Sequence, residues 1–125
     1  MTTRILRGLR GATTAVANTS DAILDATAEL LAALLEANVF APEDIESAIF
    51  TSTPDLTADY PARAARNLGW TGVPLLGAQE VPVPGGVPLC VRVLLHFYTA
   101  RPPETLKHIY LRGASALRPD RGGAA

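Results

Sequence analysis

One long segment with helical periodicity sets the architecture of this chain, because the other apolar segments are short. Apolar residues recur there at spacings of three and four, with acidic residues between them: Ile23, Leu24, Leu30, Leu31, Leu34 and Leu35. This pattern predicts an amphipathic helix with one buried stripe. Thr19 or Ser20 is suited to be its N-cap, and Asp21 would lie in the favourable first turn. The helix is predicted to end near Asn38.

The remaining apolar segments have the length of strands. Strands are predicted at residues 5–12, 48–51, 73–81, 89–98 and 107–117. A helical turn is expected at residues 42–44, and a second short helix begins at Pro61 and ends before Gly69. The order strand, helix, strand, helix and then mostly strands predicts an α/β (α+β) fold with a mixed sheet. We expect one domain over residues 1–120 and a flexible tail at residues 121–125.

Composition favours an assembly of several copies. Hydrophobic residues make up 48% of the 125 residues and charged residues only 18%. A domain of this size exposes much of its surface, so some apolar area is expected to meet another subunit. A homo-oligomer is the simple interpretation. The alternative is a monomer with a dense core and an alanine-rich coding bias.

Charge and cysteine content exclude several classes of protein. With a net charge of −1, the chain has no broad positive potential that would attract nucleic acid. No apolar run approaches the ~20 residues of a membrane span, and the arginine-bearing N-terminus does not resemble a signal peptide. The single cysteine, Cys90, cannot form an intrachain disulfide. A cytoplasmic protein that binds neither nucleic acid nor membrane is therefore expected.

Two isolated charges interrupt the apolar segments. Glu80 is the sole acidic residue between Asp59 and Glu104, and Arg92 is the sole basic residue between Arg66 and Arg101. Because a buried ion is costly without a partner, we predict that Glu80 and Arg92 pair. Strand alternation places Arg92 on the same face as Cys90. The pair is either purely structural or part of a polar pocket that also includes Arg10 and Tyr110.

The sequence offers little for nucleophilic or metal chemistry. His96 is expected to be packed or at an edge, and His108 to be exposed near the start of a strand. No metal-ligand spacing occurs, so no metal or other cofactor is predicted. Cys90 is expected to be a small core residue rather than a nucleophile.

Four ordered signatures resemble those of the monofunctional trimeric chorismate mutases. The first is Arg10-Gly11-Ala12-Thr13-Thr14. The second is Thr53-Pro54-Asp55-Leu56 followed by Tyr60-Pro61-Ala62-Arg63-Ala64 and Arg66. The third is Gln79-Glu80, Gly85-Gly86 and Cys90-Val91-Arg92-Val93. The fourth is His108-Ile109-Tyr110-Leu111 with Leu117-Arg118-Pro119-Asp120.

The resemblance implies a mixed sheet with helices on one side, three copies of which form a trimeric pseudo-α/β barrel with active sites at the subunit interfaces. It implies catalytic roles for Arg92, Glu80, Arg10 and Tyr110. It also implies a set of substrate-binding residues: Tyr60, Ala62, Arg63, Arg66, Leu76, Gly77, Ala78, Gln79, Leu117 and Arg118. The family often has Phe at the position of Tyr60 and Lys at that of Arg63, and a well-known member has Thr and Cys where Leu76 and Gly77 stand.

The activity implied is the cofactor-free rearrangement of chorismate to prephenate in aromatic amino-acid biosynthesis. Such a site must hold a flexible dianion in a compact conformer and stabilise the charge that develops as an ether bond breaks. Two alternatives remain open. One is a different enzyme on a similar trimeric barrel, such as an imine deaminase, whose signatures are not evident. The other is a catalytically silent trimeric protein that binds or senses a small anion.

Overall fold

The computed structural model describes residues 3–117, which fold into one mixed five-stranded sheet and two helices. The elements in chain order are β1 (Ile5–Thr14), α1 (Ser20–Asn38), β2 (Ile45–Ser52), α2 (Ala62–Asn67), β3 (Leu75–Gln79), β4 (Cys90–Thr99) and β5 (Ile109–Tyr110). The spatial order of strands is β3-β2-β4-β1-β5. β4 runs antiparallel to β1 and β2, whereas β1 pairs with β5 and β2 with β3 in parallel. The mixed α+β fold predicted from the element order is confirmed.

Helix α1 begins and ends where the sequence pattern predicts. Thr19 is the N-cap, and its hydroxyl oxygen accepts a hydrogen bond from the Ala22 N–H at 3.1 Å. This bond satisfies one of the free N–H groups of the first turn. At the other end Val39 takes a left-handed conformation with φ of 53°, and its N–H donates to the Leu35 carbonyl. The helix therefore terminates on a β-branched residue where glycine is the usual choice.

Both helices cover the same face of the sheet. The buried stripe of α1 and the alternate residues of β1, β2 and β4 form one core: Leu9, Leu30, Leu31, Leu34, Ala48, Phe50, Val93, Leu95 and Phe97. The backbone of β1 lies so close to α1 that a Cβ at Gly11 would stand 2.9 Å from Leu34 Cδ1. Helix α2 adds Ala62 and Ala65 to this core. The expectation of helices on one side is confirmed.

The opposite face, called here the open face, has no helical layer within residues 3–117. Strand alternation places on it Leu6, Arg10, Ile49, Thr51, Leu76, Arg92, Leu94 and Tyr98. Its large apolar side chains are partly exposed, including Leu76 at 62%. Cys90 lies on the same side as Arg92, as predicted, in a small buried cluster with Ala12, Tyr110 and Ala114 at one end of the sheet.

The strand predicted over residues 107–117 is wrong for most of its length. β5 contains only Ile109 and Tyr110, and a 3₁₀ segment occupies Arg112–Leu117. The chain leaves the sheet because Arg112 has a positive φ of 52°. Gly113 then passes so close to Thr14 that a Cβ would stand 3.1 Å from its hydroxyl oxygen. The turn carries Leu117 back across the end of the open face.

Arg118 and the predicted tail at residues 121–125 lie outside the described residues. Within residues 3–117, no helix has both the length and the apolar character that crossing a membrane requires.

Candidate active site

The predicted ion pair forms at one end of the open face. Arg92 Nε lies 3.0 Å from Glu80 Oε2. Glu80 directly follows β3 rather than lying within it, and its N–H donates to the Ser52 carbonyl. Arg92 lies in β4 opposite Thr51 of β2. The two charges come together because β3 and β4 both pair with β2, which lies between them.

The pair is not buried in the single chain, contrary to the expectation from its apolar neighbours. The Arg92 side chain is 48% exposed and that of Glu80 is 18% exposed. The reason is that both groups face the side of the sheet that carries no helix. Because a guanidinium has five N–H donors, the bond from Nε leaves donors for a ligand oxygen. An open, paired guanidinium is arranged to receive an anion rather than to stabilise a core.

Thr51 is a member of this cluster that the sequence did not reveal. Its hydroxyl donates to Glu80 Oε2 at 2.6 Å, so the oxygen that faces Arg92 also accepts from Thr51. The two bonds fix the carboxylate from two directions. The segment Phe50-Thr51-Ser52 carries no motif, and only the register of β2 against β4 identifies the residue.

A cavity of about 260 Å³ brings together the other predicted catalytic residues. Arg10, Arg92, Tyr110 and Leu117 line it, together with apolar residues of β2 and β4. Arg10 comes from β1 and Tyr110 from the short β5 beside it. These residues are far apart in sequence but lie close together because β4, β1 and β5 are neighbours in the sheet. Two arginines and a phenol around one hollow are the kind of donors that suit a carboxylate.

Most of the predicted substrate-binding residues lie elsewhere, around a hollow of about 670 Å³ beside α2. Its lining includes seven of them: Tyr60, Ala62, Arg63, Arg66, Gly77, Ala78 and Gln79. Tyr60 is 71% exposed. Leu76 lines neither this hollow nor the first. It lies on the open face, opposite Ile49 of β2.

The carboxylate of the half-buried Asp59 holds the α2 side of this hollow. Asp59 Oδ2 accepts from the Ser20 hydroxyl at 2.5 Å, and its Oδ1 accepts from the Tyr60 N–H at 2.7 Å. The Ser20 bond, followed by the Tyr60 N–H, holds the pKa of Asp59 below its usual value. Arg63 Nη1 lies 3.4 Å from the same carboxylate. Asp59 thus ties the loop before α2 to the first turn of α1, a role that its sequence context did not indicate.

The remaining candidates for chemistry are structural. Cys90 is 1% exposed, as predicted, and burial raises the pKa of its thiol. A buried thiol of raised pKa is a poor nucleophile. His96 is half-buried with Nδ1 3.2 Å from the Ser47 hydroxyl. His108 is also half-buried rather than exposed, and its Nδ1 accepts the Arg10 N–H. Residues 3–117 contain no group of three or more acidic, His or Cys side chains that could hold a metal ion.

The sequence matches the family described as Chorismate mutase type I over residues 6–121. The chain belongs to the chorismate mutase type I family. It is 50% identical to chorismate mutase AroH of Thermus thermophilus over 117 residues, which cover 93% of this chain and 96% of that protein. It is 42% identical to chorismate mutase AroH of Bacillus subtilis (strain 168), with 93% and 92% coverage.

The fold agrees with this membership. A solved structure of a chorismate mutase from Clostridium thermocellum superposes with a TM-score of 0.87 at 44% identity, covering 88% of this chain and 98% of that one. Chorismate mutases are isomerases. For a chorismate mutase, the departures at Leu76 and Gly77 fall on a strand that is exposed in the single chain. Neither side chain can supply the polar contact that Thr and Cys would offer there.

Proposed function

We propose that this chain converts chorismate to prephenate as a homotrimer, with an active site wherever two subunits meet. The observation that supports this most directly is the Arg92–Glu80 pair beside a cavity that also contains Arg10 and Tyr110. The reaction breaks one ether C–O bond and forms one C–C bond within the same molecule. It requires charge stabilisation and a fixed conformer, and this cluster offers both.

Arg92 is the proposed donor to the ether oxygen, where negative charge develops. Its planar guanidinium can also hold a carboxylate of the substrate with a second N–H group. Glu80 is proposed to accept a hydrogen bond from the ring hydroxyl and to face the positive charge that develops on the ring. The bonds from Thr51 and Arg92 hold its carboxylate in place before substrate arrives. Such preorganisation lowers the barrier because the dipoles need not reorient during the reaction.

The other residues bind the dianion. Arg10 and Tyr110 are proposed to hold the side-chain carboxylate, and Leu117 to close the apolar wall of the cavity. From the neighbouring subunit, Arg63 and Arg66 of α2 would add positive charge at the mouth. The remaining proposed contacts are Tyr60, Ala62, Leu76, Gly77, Ala78, Gln79 and Arg118. No cofactor or metal takes part in this scheme.

The trimer is proposed because the two groups of site residues line different hollows of one chain. Arg10, Arg92 and Tyr110 line the hollow on the open face, whereas Arg63 and Arg66 line the one beside α2. If each hollow supplied half of a site, a ring of copies would complete every site from two subunits. The open face also needs a partner, since its exposed apolar residues, such as Leu76, have no covering layer in the described chain.

We place the proposed reaction in aromatic amino-acid biosynthesis, because prephenate leads to phenylalanine and tyrosine. A cytoplasmic location fits the unpaired thiol of Cys90, which is buried and free.

Two measurements test the proposal. Purified protein should consume chorismate and form prephenate with and without a chelator. No consumption would reject the proposed activity, and a loss of activity with chelator would show that a metal takes part. The subunit arrangement is tested with Arg92→Lys and Arg63→Glu, each expected to be inactive alone. When equal amounts are unfolded and refolded together, about a quarter of the sites should combine two intact halves by random assembly. Activity should return to that extent, whereas a site contained within one subunit would stay inactive.

A further inference from the structure

The segment before β5 reaches β1 through a side chain instead of the backbone. The parallel ladder pairs Gly11 with Ile109 and Ala12 with Tyr110 and extends no further toward the start of β5. One residue earlier, the Nδ1 atom of His108 accepts a hydrogen bond from the Arg10 N–H at 2.9 Å. The imidazole therefore stands where the carbonyl of a longer strand would be. On its other side Arg10 lies opposite Leu94 of β4.

The buried side chain of Asn38 fixes the backbone of the residue before His108. Asn38 is 1% exposed, and its Oδ1 accepts from the Lys107 N–H at 2.6 Å. Its Nδ2 donates to the Lys107 carbonyl at 2.9 Å and to the Leu34 carbonyl at 2.9 Å. Both backbone groups of Lys107 are thereby tied to the last turn of α1. The residue that follows, His108, starts from a fixed backbone.

We propose that His108 is a positioning residue for Arg10, and through it for the substrate carboxylate that Arg10 binds. This inference rests on the proposed function. Arg10 lines the cavity beside Arg92 and Tyr110, whereas His108 contacts its backbone and does not line that cavity. β5 is only two residues long. The His108 bond therefore adds a contact between this edge and the Arg10 N–H, which the short ladder does not reach. Without it, the Arg10 N–H would turn to water, and the backbone there would be held less firmly on its β5 side.

The hydrogen bond from the Arg10 N–H requires an acceptor atom at the position that Nδ1 of His108 occupies. Nδ1 must be unprotonated to accept, so the ring proton lies on Nε2. The Oδ1 atom of asparagine can occupy the place of Nδ1, whereas the amide of glutamine reaches one bond further, toward the place of Nε2. His108→Asn and His108→Gln are therefore a matched pair. Both are polar amides, so they differ mainly in where the acceptor stands.

The test compares kcat and KM for chorismate in the wild-type protein and in these two variants. A catalytic group displaced by about 1 Å can cost on the order of a hundredfold in rate. We expect kcat/KM to fall by roughly tenfold to a hundredfold in His108→Gln and to stay close to wild type in His108→Asn. Melting temperatures should be similar in the two variants. Equal losses in both would overturn the inference, because acceptor placement would then be irrelevant.

A double-mutant cycle separates positioning from a general structural effect. Residues that act through one another show non-additive losses. In an Arg10→Ala background, His108→Gln should therefore reduce kcat/KM no further. A full, additive loss in that background would show that His108 acts elsewhere and would reject the proposal. Failure of the proposed function looks different, since the wild-type protein itself would then leave chorismate unchanged.

Discussion

The two faces of the sheet are built from the same strands but do different work. On the face covered by α1, alternate residues of β4 such as Val91, Leu95 and Phe97 are fully buried. On the open face, Arg92 and Tyr98 of the same strand remain partly exposed. Burial stabilises the first face, whereas the second keeps charged groups accessible at the cost of uncovered apolar surface. Substitutions on the two faces should therefore have opposite effects on stability and on activity.

The largest effect is expected from Arg92→Lys on the open face. Lysine keeps the charge but cannot hold Glu80 and two ligand oxygens with one planar group. Loss of one preorganised donor costs about 3 kcal/mol, which corresponds to roughly two to three decades in kcat. Steady-state kinetics and melting temperature should be measured on the same preparation.

The matched control for this change is Arg4→Lys. Arg4 pairs with Asp44 at 2.6 Å at the other end of the chain's fold and lies away from the cavity. The Arg4→Lys variant should leave kcat unchanged. If Arg92→Lys instead lowered the melting temperature while the folded fraction stayed fully active, the Arg92–Glu80 pair would be structural.

A stability loss with preserved catalysis is expected from Leu31→Ala on the covered face. Leu31 is fully buried in the main core. Removing its side chain leaves a cavity and should lower the free energy of unfolding by about 2–5 kcal/mol. Urea denaturation at a fixed protein concentration measures this, with kcat determined below the transition. Val16→Ala, at a residue 80% exposed, should change little. A drop in kcat comparable to that of Arg92→Lys would mean that the faces are not independent.

The smallest effect is expected on stability in acid, through Asp55 in the loop after β2. Asp55 accepts from the Thr53 hydroxyl at 2.5 Å and from the Leu89 N–H at 2.9 Å. The Thr53 bond first, and then the Leu89 N–H, hold the pKa of Asp55 below its usual 3.8. Since the folded pKa is the lower one, this contribution is present above 3.8 and is lost as pH falls through the folded value.

Asp55→Asn should therefore flatten the dependence of melting temperature on pH below about 4, where the wild-type carboxylate takes up its proton. Above pH 5 the variant should lose a modest and constant amount of stability. An unchanged acid slope would show that other carboxylates, such as Asp59, account for it.

The parts of the fold that depend on local patterns could be predicted from the sequence. Helix α1, its Thr19 cap and its end at Asn38 follow from periodicity and capping chemistry. The Glu80–Arg92 pair could be predicted because each charge is isolated. Its exposure could not, since this depends on the absence of a helix above one face of the sheet in the described chain.

Other features depend on contacts between distant residues or on unusual backbone conformations. Arg112 ends the last strand early through its positive φ. Residues other than glycine rarely adopt this conformation, so nothing in the sequence indicates it. The bond from Arg10 to His108 joins residues 98 positions apart. Thr51 gains its role only from the register that sets it opposite Arg92. Each of these requires the assembled sheet.

The edge strand β3 has a consequence for the behaviour of the chain at high concentration. Within residues 3–117, β3 pairs with β2 on one side only, so its other side presents backbone groups that no described strand pairs. Exposed edges of this kind recruit strands from other molecules and start aggregation. Here Pro74 precedes the five-residue strand and Pro82 follows shortly after it. Because proline cannot donate to a ladder, the two rings limit the length of edge on which an added strand could pair.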